Sequence, residues 1–190
     1  KSWVILQAYA KEKLGINLRD QVETVFAAPA VINEQMIEGK LDAVLNFWHY
    51  NARLKAAGMN EIISVKSVLK ELDLNHETPL LGWVFDKEWA EKNSDSITAF
   101  LDSSFQTKEI LLNQLGIWEG LKKKMKADQD DVLFTTLRDA YRDGIVEEFT
   151  KDHALSASEV FSVMASIGGE KLVGSAKKLD PETFWEAYIE

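Results

Sequence analysis

The side chains best suited to chemistry stand in one uninterrupted stretch, Phe47–Asn51, which combines four rings with one amide. The run Leu41–Phe47, which leads into it, has the length and composition of a buried strand. In open α/β sheets, ligands bind beyond the carboxyl ends of the strands, where aromatic and amide side chains can reach them. The stretch is therefore the first candidate for a binding site.

The other groups that could carry chemistry stand alone. His76 and His153 lie in polar surroundings, and neither shows the spacing of a metal-binding histidine pair. The chain has no cysteine, which excludes thiol nucleophiles, disulfides and cysteine-based metal sites. Gly168 and Gly169 end a predicted helix and lack the strand-to-helix context of a phosphate-binding loop. These patterns favour binding over catalysis, with no metal and no cofactor.

Two interpretations of the aromatic stretch stay open. Any one of its rings could belong to a core, and His49 could be a rim histidine as well as a ligand contact. Because successive residues of a strand point to opposite sides, the whole stretch is hard to bury at once. We therefore expect part of it to face a cleft.

Charge and composition narrow the classes of partner. The net charge is −9, and nonspecific binding to nucleic acid or to an anionic membrane needs clustered lysine and arginine instead. The apolar fraction of 46% is ordinary for a globular protein, and no apolar run reaches the length of a membrane span. We expect a protein that binds a small molecule and does not bind nucleic acid.

The periodicity predicts two parts. The first, residues 1–77, alternates helices with strands, and residues 78–190 add one strand and then helices, so the fold class is predicted as α/β with a mainly parallel sheet. Ser2 is predicted to cap the first helix, and Ser156 with Glu159 is predicted to form a capping box. The predicted strands are Val22–Ala27, Leu41–Phe47, Glu61–Val65 and Leu80–Phe85.

Several of these segments resemble one protein family. The run Gly39–Val44, the aromatic Phe47 and a helix that ends at Gly58 resemble the nitrate/sulfonate/taurine group of ABC-importer substrate-binding proteins. The segment Pro79–Phe85 resembles that family's return strand to its first lobe. The resemblance implies a fold like type II periplasmic binding proteins, with two lobes and a hinge. It also implies an incomplete chain without the N-terminal portion, in which residues 1–77 are the remainder of the second lobe and residues 78–190 pack on the first.

The resemblance also implies roles for particular residues. Phe47, Trp48, His49 and Asn51 match the strand end that lines the family's cleft. Ser2 and Trp3 match a helix start at which an anionic ligand group meets free backbone N–H groups. His49 beside an anion would favour its protonated form.

The function that follows from the resemblance is that of an extracytoplasmic solute-binding protein. It would capture a small anionic ligand, organic or inorganic, and present it to an ABC permease, as a periplasmic or lipid-anchored monomer without enzymatic activity. One alternative is an enzyme like the thiamine-pyrimidine synthases that uses His49, which would need a hydrogen-bonding partner. The other is a noncatalytic helical scaffold, which would show no concave pocket at Phe47–Asn51.

Overall fold

The computed structural model describes residues 1–188, without the side chain of Pro181, and all regular structure within that range is helical. Single turns of 3-10 helix lie at Pro181–Thr183 and Glu186–Tyr188, and a longer 3-10 segment lies at Leu115–Leu121. The α-helices of this range are α1 (Ser2–Leu14), α2 (Leu18–Gln21), α3 (Pro29–Ile37), α4 (Trp48–Ala56), α5 (Val65–Glu71), α6 (Lys87–Lys92), α7 (Ser94–Asn113), α8 (Asp131–Asp143), α9 (Lys151–Gly168) and α10 (Glu170–Val173).

The predicted α/β fold is wrong, and so is its assignment to the type II periplasmic binding proteins. No strand or sheet occurs among residues 1–188. The segments predicted as strands are connections between helices, apart from Val65, which is the first residue of α5. Their apolar side chains are largely exposed, including Phe26 at 77%, Ile62 at 87% and Val84 at 95%.

The physical reason is that strand propensity is a property of neighbouring residues, whereas a strand needs a second segment of backbone. A strand exists only when a second backbone segment accepts and donates its hydrogen bonds. β-Branched and aromatic residues favour such pairing but do not supply the partner. In this chain the buried apolar side chains lie mostly on helices that pack on other helices, so the sheet that the alternating pattern predicted does not form.

Local sequence sets the helix ends well. Helices α5, α6 and α8 each begin after a side chain that accepts a backbone N–H: Ser64 Oγ from Ser67 at 2.9 Å, Asp86 Oδ1 from Trp89 at 2.8 Å, and Asp130 Oδ1 from Leu133 at 2.8 Å. α1 ends at Gly15, whose φ of 69° is the left-handed conformation that glycine adopts without strain. The predicted cap of α1 is displaced by one residue, because Ser2 is the first helical residue and Lys1 is the N-cap, without a side-chain hydrogen bond.

The chain divides into two compact units, and α7 belongs to the first as far as Leu101 and to the second beyond it. The first unit consists of Lys1–Thr24, Ile63–Leu101 and the chain from Glu148 onward. Its main core joins α1, α5 and α9, and a smaller core joins α6 with the start of α7. The buried residues of the main core are Ile5, Val68, Leu69 and Val160, and those of the smaller one are Ala90, Ile97 and Leu101.

The second unit consists of Val25–Ile62 and Asp102–Glu147. In it α4 packs along α8, and α3 packs on α4. The predicted boundary between residues 77 and 78 falls inside the first unit. The buried core residues of the second unit are Ala52, Trp118, Ala127, Phe134 and Leu137.

Candidate functional site

The predicted site lies at the start of α4, in the second unit. Phe47 is the N-cap residue, and Trp48 begins the helix. The Phe47 and His49 rings stack with centroids 6.1 Å apart and planes 2° apart, and Trp48 meets His49 edge-on at 5.3 Å. Phe47 is 61% exposed and Trp48 46%, so these rings form an open aromatic surface.

This aromatic surface is anchored to the core of its unit. Trp48 packs edge-on against Tyr141 of α8 at 5.6 Å, and Tyr141 packs in the same way on Trp118 at 5.4 Å. Trp118 is 3% exposed and donates its indole N–H to the Leu111 carbonyl at 2.9 Å. A fixed support of this kind holds an exposed ring in one orientation at little entropic cost.

An amide network fixes the connection that leads into α4. Asn46 Nδ2 donates to the Pro29 carbonyl at 2.9 Å and to Asn33 Oδ1 at 3.1 Å. Asn33, which is 5% exposed, donates to the Tyr50 carbonyl at 3.3 Å. Asn51 Nδ2 donates to the Asn46 carbonyl at 3.2 Å. The network ties α3 to α4, and it occupies the Asn51 side chain, which sequence reasoning assigned to a ligand.

The first backbone N–H groups of α4 have no side-chain cap, because phenylalanine at the N-cap position offers no acceptor. The N–H groups of Tyr50 and Asn51 are bonded to the Phe47 carbonyl, at 2.9 and 3.0 Å. Those of Trp48 and His49 have no hydrogen-bonding partner within residues 1–188. Such groups attract negative charge, although a helix start without further groups is not a site.

A groove of about 390 Å³ opens next to this helix start, within the second unit. Helices α3 and α4 and the start of α8 form its walls, and its apolar lining consists of small and aliphatic side chains. It reaches the predicted stretch at Tyr50, whereas Phe47, Trp48, His49 and Asn51 do not line it. The lining residues are Ala30, Asn33, Glu34, Ile37, Tyr50, Arg53, Ala56, Ala57, Asp130 and Leu133.

Arg53 is the cation of this groove. One of its terminal nitrogens donates to the Met125 carbonyl at 2.9 Å. Within the part of the chain that the structure describes, no carboxylate lies at ion-pair distance from its guanidinium. A guanidinium has five N–H donors in a planar fork, so most of them are left for a ligand.

The electrostatics of His49 reflect the same arginine. Partial burial lowers the pKa of His49 below its ordinary value, and the positive charge of Arg53 one helical turn away lowers it further. His49 is therefore mainly neutral at pH 7 in the ligand-free protein, and its imidazole ring makes no hydrogen bond to another group within residues 1–188. An adjacent anion would favour protonated His49, whereas the surroundings of His49 in this structure favour the neutral form.

Two carboxylates also line the groove. Asp130 accepts the Leu133 N–H as the cap of α8, and Glu34 lies on the exposed side of α3. The groove thus presents one positive and two negative side chains around an apolar floor. This combination suits a small molecule with an anionic group for Arg53 and a polar or cationic group for the carboxylates.

Ser2 and Trp3 belong to the first unit, whereas Phe47–Asn51 belongs to the second. Both are partly buried in the first turn of α1, and the Trp3 carbonyl accepts a hydrogen bond from Gln7 Nε2 at 3.1 Å. Their assignment to a ligand stays a prediction.

Sequence reasoning missed Arg53, Asn33 and Asn46. A signal for Arg53 was present, since it follows His49 by four residues and Tyr50 by three on a predicted helix, which puts all of them on one side. No comparable signal marked the two asparagines, because the contacts that give them a role join α3 to the start of α4.

No group of three or more histidine, aspartate or glutamate side chains within residues 1–188 could hold a metal ion. No helix in that range is long and apolar enough to cross a membrane. No model of a known protein family matches the chain, and no curated protein does either.

Proposed function

We propose that this protein binds a small organic molecule that carries an anionic group, with the groove between α3, α4 and α8 as the site and Arg53 as the partner of the anion. The observation that carries the proposal is that Arg53 lines a groove of about 390 Å³ without a carboxylate partner in residues 1–188. A half-buried guanidinium without a counter-ion is an energetic cost that an anionic ligand removes.

The size and lining of the groove support a small ligand. Its volume lies at the lower end of the range of small-molecule pockets. Glu34 and Asp130 favour molecules that also carry a positive or hydrogen-bonding group, and they disfavour multiply charged anions. The exposed rings of Phe47, the N-cap residue of α4, and of Trp48, its first residue, lie outside the groove lining, so they would contact only a ligand that extends beyond the groove.

The proposal contains no bond-breaking step. The imidazole ring of His49, the residue that the sequence offered for catalysis, has no hydrogen-bonding partner in residues 1–188, whereas a general acid or base needs one to be oriented. A noncatalytic helical scaffold was expected to have no concave pocket at Phe47–Asn51, whereas the groove reaches this stretch at Tyr50. No observation therefore favours either alternative over ligand binding.

Delivery of the ligand to an ABC permease outside the cytoplasm is a further part of the proposal. It depends on the sequence resemblance alone, because the family's sheet is not present in residues 1–188. Ligand binding at Arg53 does not depend on the resemblance, since it is supported by the groove that Arg53 lines.

The proposal is tested with a panel of small carboxylates, sulfonates, phosphate esters and amino acids, with thermal stabilisation and native mass spectrometry as readouts. We expect at least one class to raise the melting temperature. Arg53→Gln is then expected to weaken binding by at least about tenfold, equivalent to ~1.4 kcal/mol.

Lys55→Gln is the matched control, because it removes one positive charge from the same helix outside the groove, where Lys55 pairs with Glu61 at 2.7 Å. We expect it to bind like the unmodified chain. Equal affinity of Arg53→Gln and Lys55→Gln, or no response to any member of the panel, contradicts the proposal.

The aromatic part of the site is tested separately. We expect Trp48→Ala to weaken binding of the same probe at least about tenfold while the thermal transition stays nearly unchanged, because Trp48 is 46% exposed. Val132→Ala, at a residue that is 62% exposed on α8, is the control for loss of an exposed apolar side chain. Unchanged binding by Trp48→Ala restricts the site to the groove.

A further inference from the structure

Another pocket, of about 340 Å³, opens beside the part of α7 that belongs to the second unit. α7 supplies most of its lining, and Ile145 and Glu147, which follow α8, also line it. The side chains of Phe105 and Ile145 give it an apolar part. Its lining residues and those of the groove at Arg53 have no member in common, so the two are separate features of this unit.

Lys108 brings a primary amine to this pocket. Its Nζ lies 4.7 Å from the centroid of the Phe105 ring, and both side chains line the pocket. Residues three apart on a helix lie on the same side, which explains why the ring and the amine meet. Contact with the face of a ring limits the positions that a long lysine side chain adopts. The amine is therefore held at the wall of the pocket.

The amine makes no ion pair. Asp102, Glu109 and Glu147 also line the pocket, yet no carboxylate of residues 1–188 lies at ion-pair distance from Lys108 Nζ. Partial burial lowers the pKa of Lys108 below its ordinary value. A larger fraction of this amine than of an ordinary lysine amine is therefore neutral at pH 7, with its lone pair available.

A neutral lysine amine in a partly apolar pocket is a nucleophile toward carbonyl carbon. The Nζ lone pair forms a bond to the carbon of an aldehyde, and the π electrons of the C=O bond pass to its oxygen, which gives a carbinolamine after proton transfer. That oxygen then leaves as water with the two hydrogens of the amine, and a C=N bond remains. The step needs no oxidant or reductant, and water reverses it.

The rest of the lining narrows the class of aldehyde. The side-chain amides of Gln106 and Asn113 can donate a hydrogen bond to a carbonyl oxygen. The volume of the pocket lies at the lower end of the range of small-molecule sites. The carboxylates around Lys108 repel a compound that carries a negative charge. The lining therefore favours a small, uncharged aldehyde with an apolar group for Phe105 and Ile145.

We propose that Lys108 is a covalent binding site for small uncharged aldehydes, which it holds reversibly as imines in the pocket beside Phe105. The ligand class differs from that of the groove at Arg53, where an anionic group is the recognised feature. Binding at one site does not require binding at the other, because they share no lining residue.

Reductive trapping of the full chain with benzaldehyde and sodium cyanoborohydride tests this site at pH 7. The reagent reduces an imine to a stable secondary amine, and peptide mass spectrometry then locates the modified lysines. We expect Lys108 to react at least about threefold faster than Lys124, an exposed lysine of the same unit that makes no ion pair within residues 1–188. Labelling governed by exposure alone gives the opposite order, and that order overturns the proposal.

A charged analogue tests the class of ligand. Para-carboxybenzaldehyde has the same ring and aldehyde with one added carboxylate. We expect the ratio of Lys108 to Lys124 labelling to be at least about threefold lower with this compound than with benzaldehyde, because the carboxylates of the pocket repel it. Equal ratios for the two aldehydes contradict selection by the pocket.

Substitutions test the role of the pocket. Gln106→Glu adds a carboxylate to the lining at an exposed position, which favours the charged form of Lys108, so its labelling is expected to slow at least about threefold. Gln114→Glu adds the same charge at an exposed position outside the lining and is expected to leave the rate unchanged. Lys108→Arg keeps the positive charge and should lose the fast phase of labelling in the intact protein. An equal rate in Gln106→Glu and Gln114→Glu, or a fast phase that persists in Lys108→Arg, overturns the proposal.

Discussion

The start of α4 and the start of α1 make an instructive pair, because both were predicted to meet a ligand and neither has a side-chain cap. At α4, exposed rings lie at the helix start, next to a groove lined by Arg53, which makes no ion pair within residues 1–188. At α1, the first turn leads straight into the buried residues Val4 and Ile5, whose N–H groups bond to the Lys1 carbonyl at 2.9 and 3.1 Å.

The difference teaches that free N–H groups are not enough to define a binding site. Both helix starts offer the same partial positive charge, which is a property of the backbone. What differs is the side chains around them: those of α1 pack into the core of α1, α5 and α9, and those of α4 remain in part on the surface. We therefore expect substitutions at α1 to change stability and those at α4 to change binding.

The largest effect is expected at α1. Ile5 is 1% exposed, and Ile5→Ala removes buried methyl and methylene groups from the main core of the first unit. We expect the free energy of unfolding to fall by about 2–5 kcal/mol, measured by urea denaturation. Leu14→Ala, on the same helix at a residue 56% exposed, is the control and should change it by less than about 1 kcal/mol. If Ile5→Ala and Leu14→Ala reduce the free energy of unfolding by similar amounts, the first turn of α1 is not specifically a part of the core.

An intermediate effect is expected in the amide network that positions α4. Asn33→Ala removes the donor to the Tyr50 carbonyl and one of the two acceptors of Asn46 Nδ2, which keeps the Pro29 carbonyl. We expect a loss of about 1–3 kcal/mol in the free energy of unfolding. Asn60→Ala, at an exposed position, is the matched control. If both variants unfold alike, the network does not hold the start of α4.

The smallest effect concerns the titration of His49. Arg53→Gln removes the positive charge that contributes to the lowered pKa of His49, so we expect this pKa to rise toward its ordinary value, as measured by NMR of the imidazole ring. Lys55→Gln should leave it unchanged. A fall in the pKa of His49 in Arg53→Gln would contradict the assigned cause.

The same shift has a consequence for stability. Because the pKa of His49 is lower in the folded than in the unfolded chain, the unfolded state binds the proton first as the pH falls. This group therefore lowers stability as the pH drops from the ordinary histidine value of about 6.5 toward its folded pKa, and has no effect above that range. His49→Gln is expected to reduce the loss of stability across that window in thermal melts.

Sequence patterns predicted helix positions much better than they predicted the sheet. Most helix ends in this chain depend on local chemistry, such as the cap at Asp130 and the left-handed Gly15, which neighbouring residues reveal. The capping box was misplaced: Ser156 lies inside α9 and donates to the Asp152 carbonyl, while Thr150 and His153 form the box at the start of that helix. Histidine was not expected there, because glutamate or glutamine usually fills that role.

The candidate site likewise has a part that the sequence indicated and a part that it did not. The order of the residues alone pointed to the ring-rich stretch Phe47–Tyr50, although Tyr50 is the one ring of that stretch that lines the groove. Arg53 could have been added from its helical spacing. The pairing of Asn33 with Asn46 and the support of Trp48 by Tyr141 could not, since each joins residues that are distant in sequence.

By itself, then, the sequence determined the helix that begins near Ser2, the concentration of rings at Phe47–Tyr50, the absence of cysteine and the negative charge. Only the tertiary structure decided that the apolar connections of residues 1–188 do not pair as a sheet, and that Arg53 lines a groove with no carboxylate of this range at ion-pair distance. The physical reason is the distance along the sequence over which the interactions act. Helix hydrogen bonds close within four residues of one segment, whereas strand pairing and groove formation need two segments to meet, and their meeting depends on how the whole chain packs.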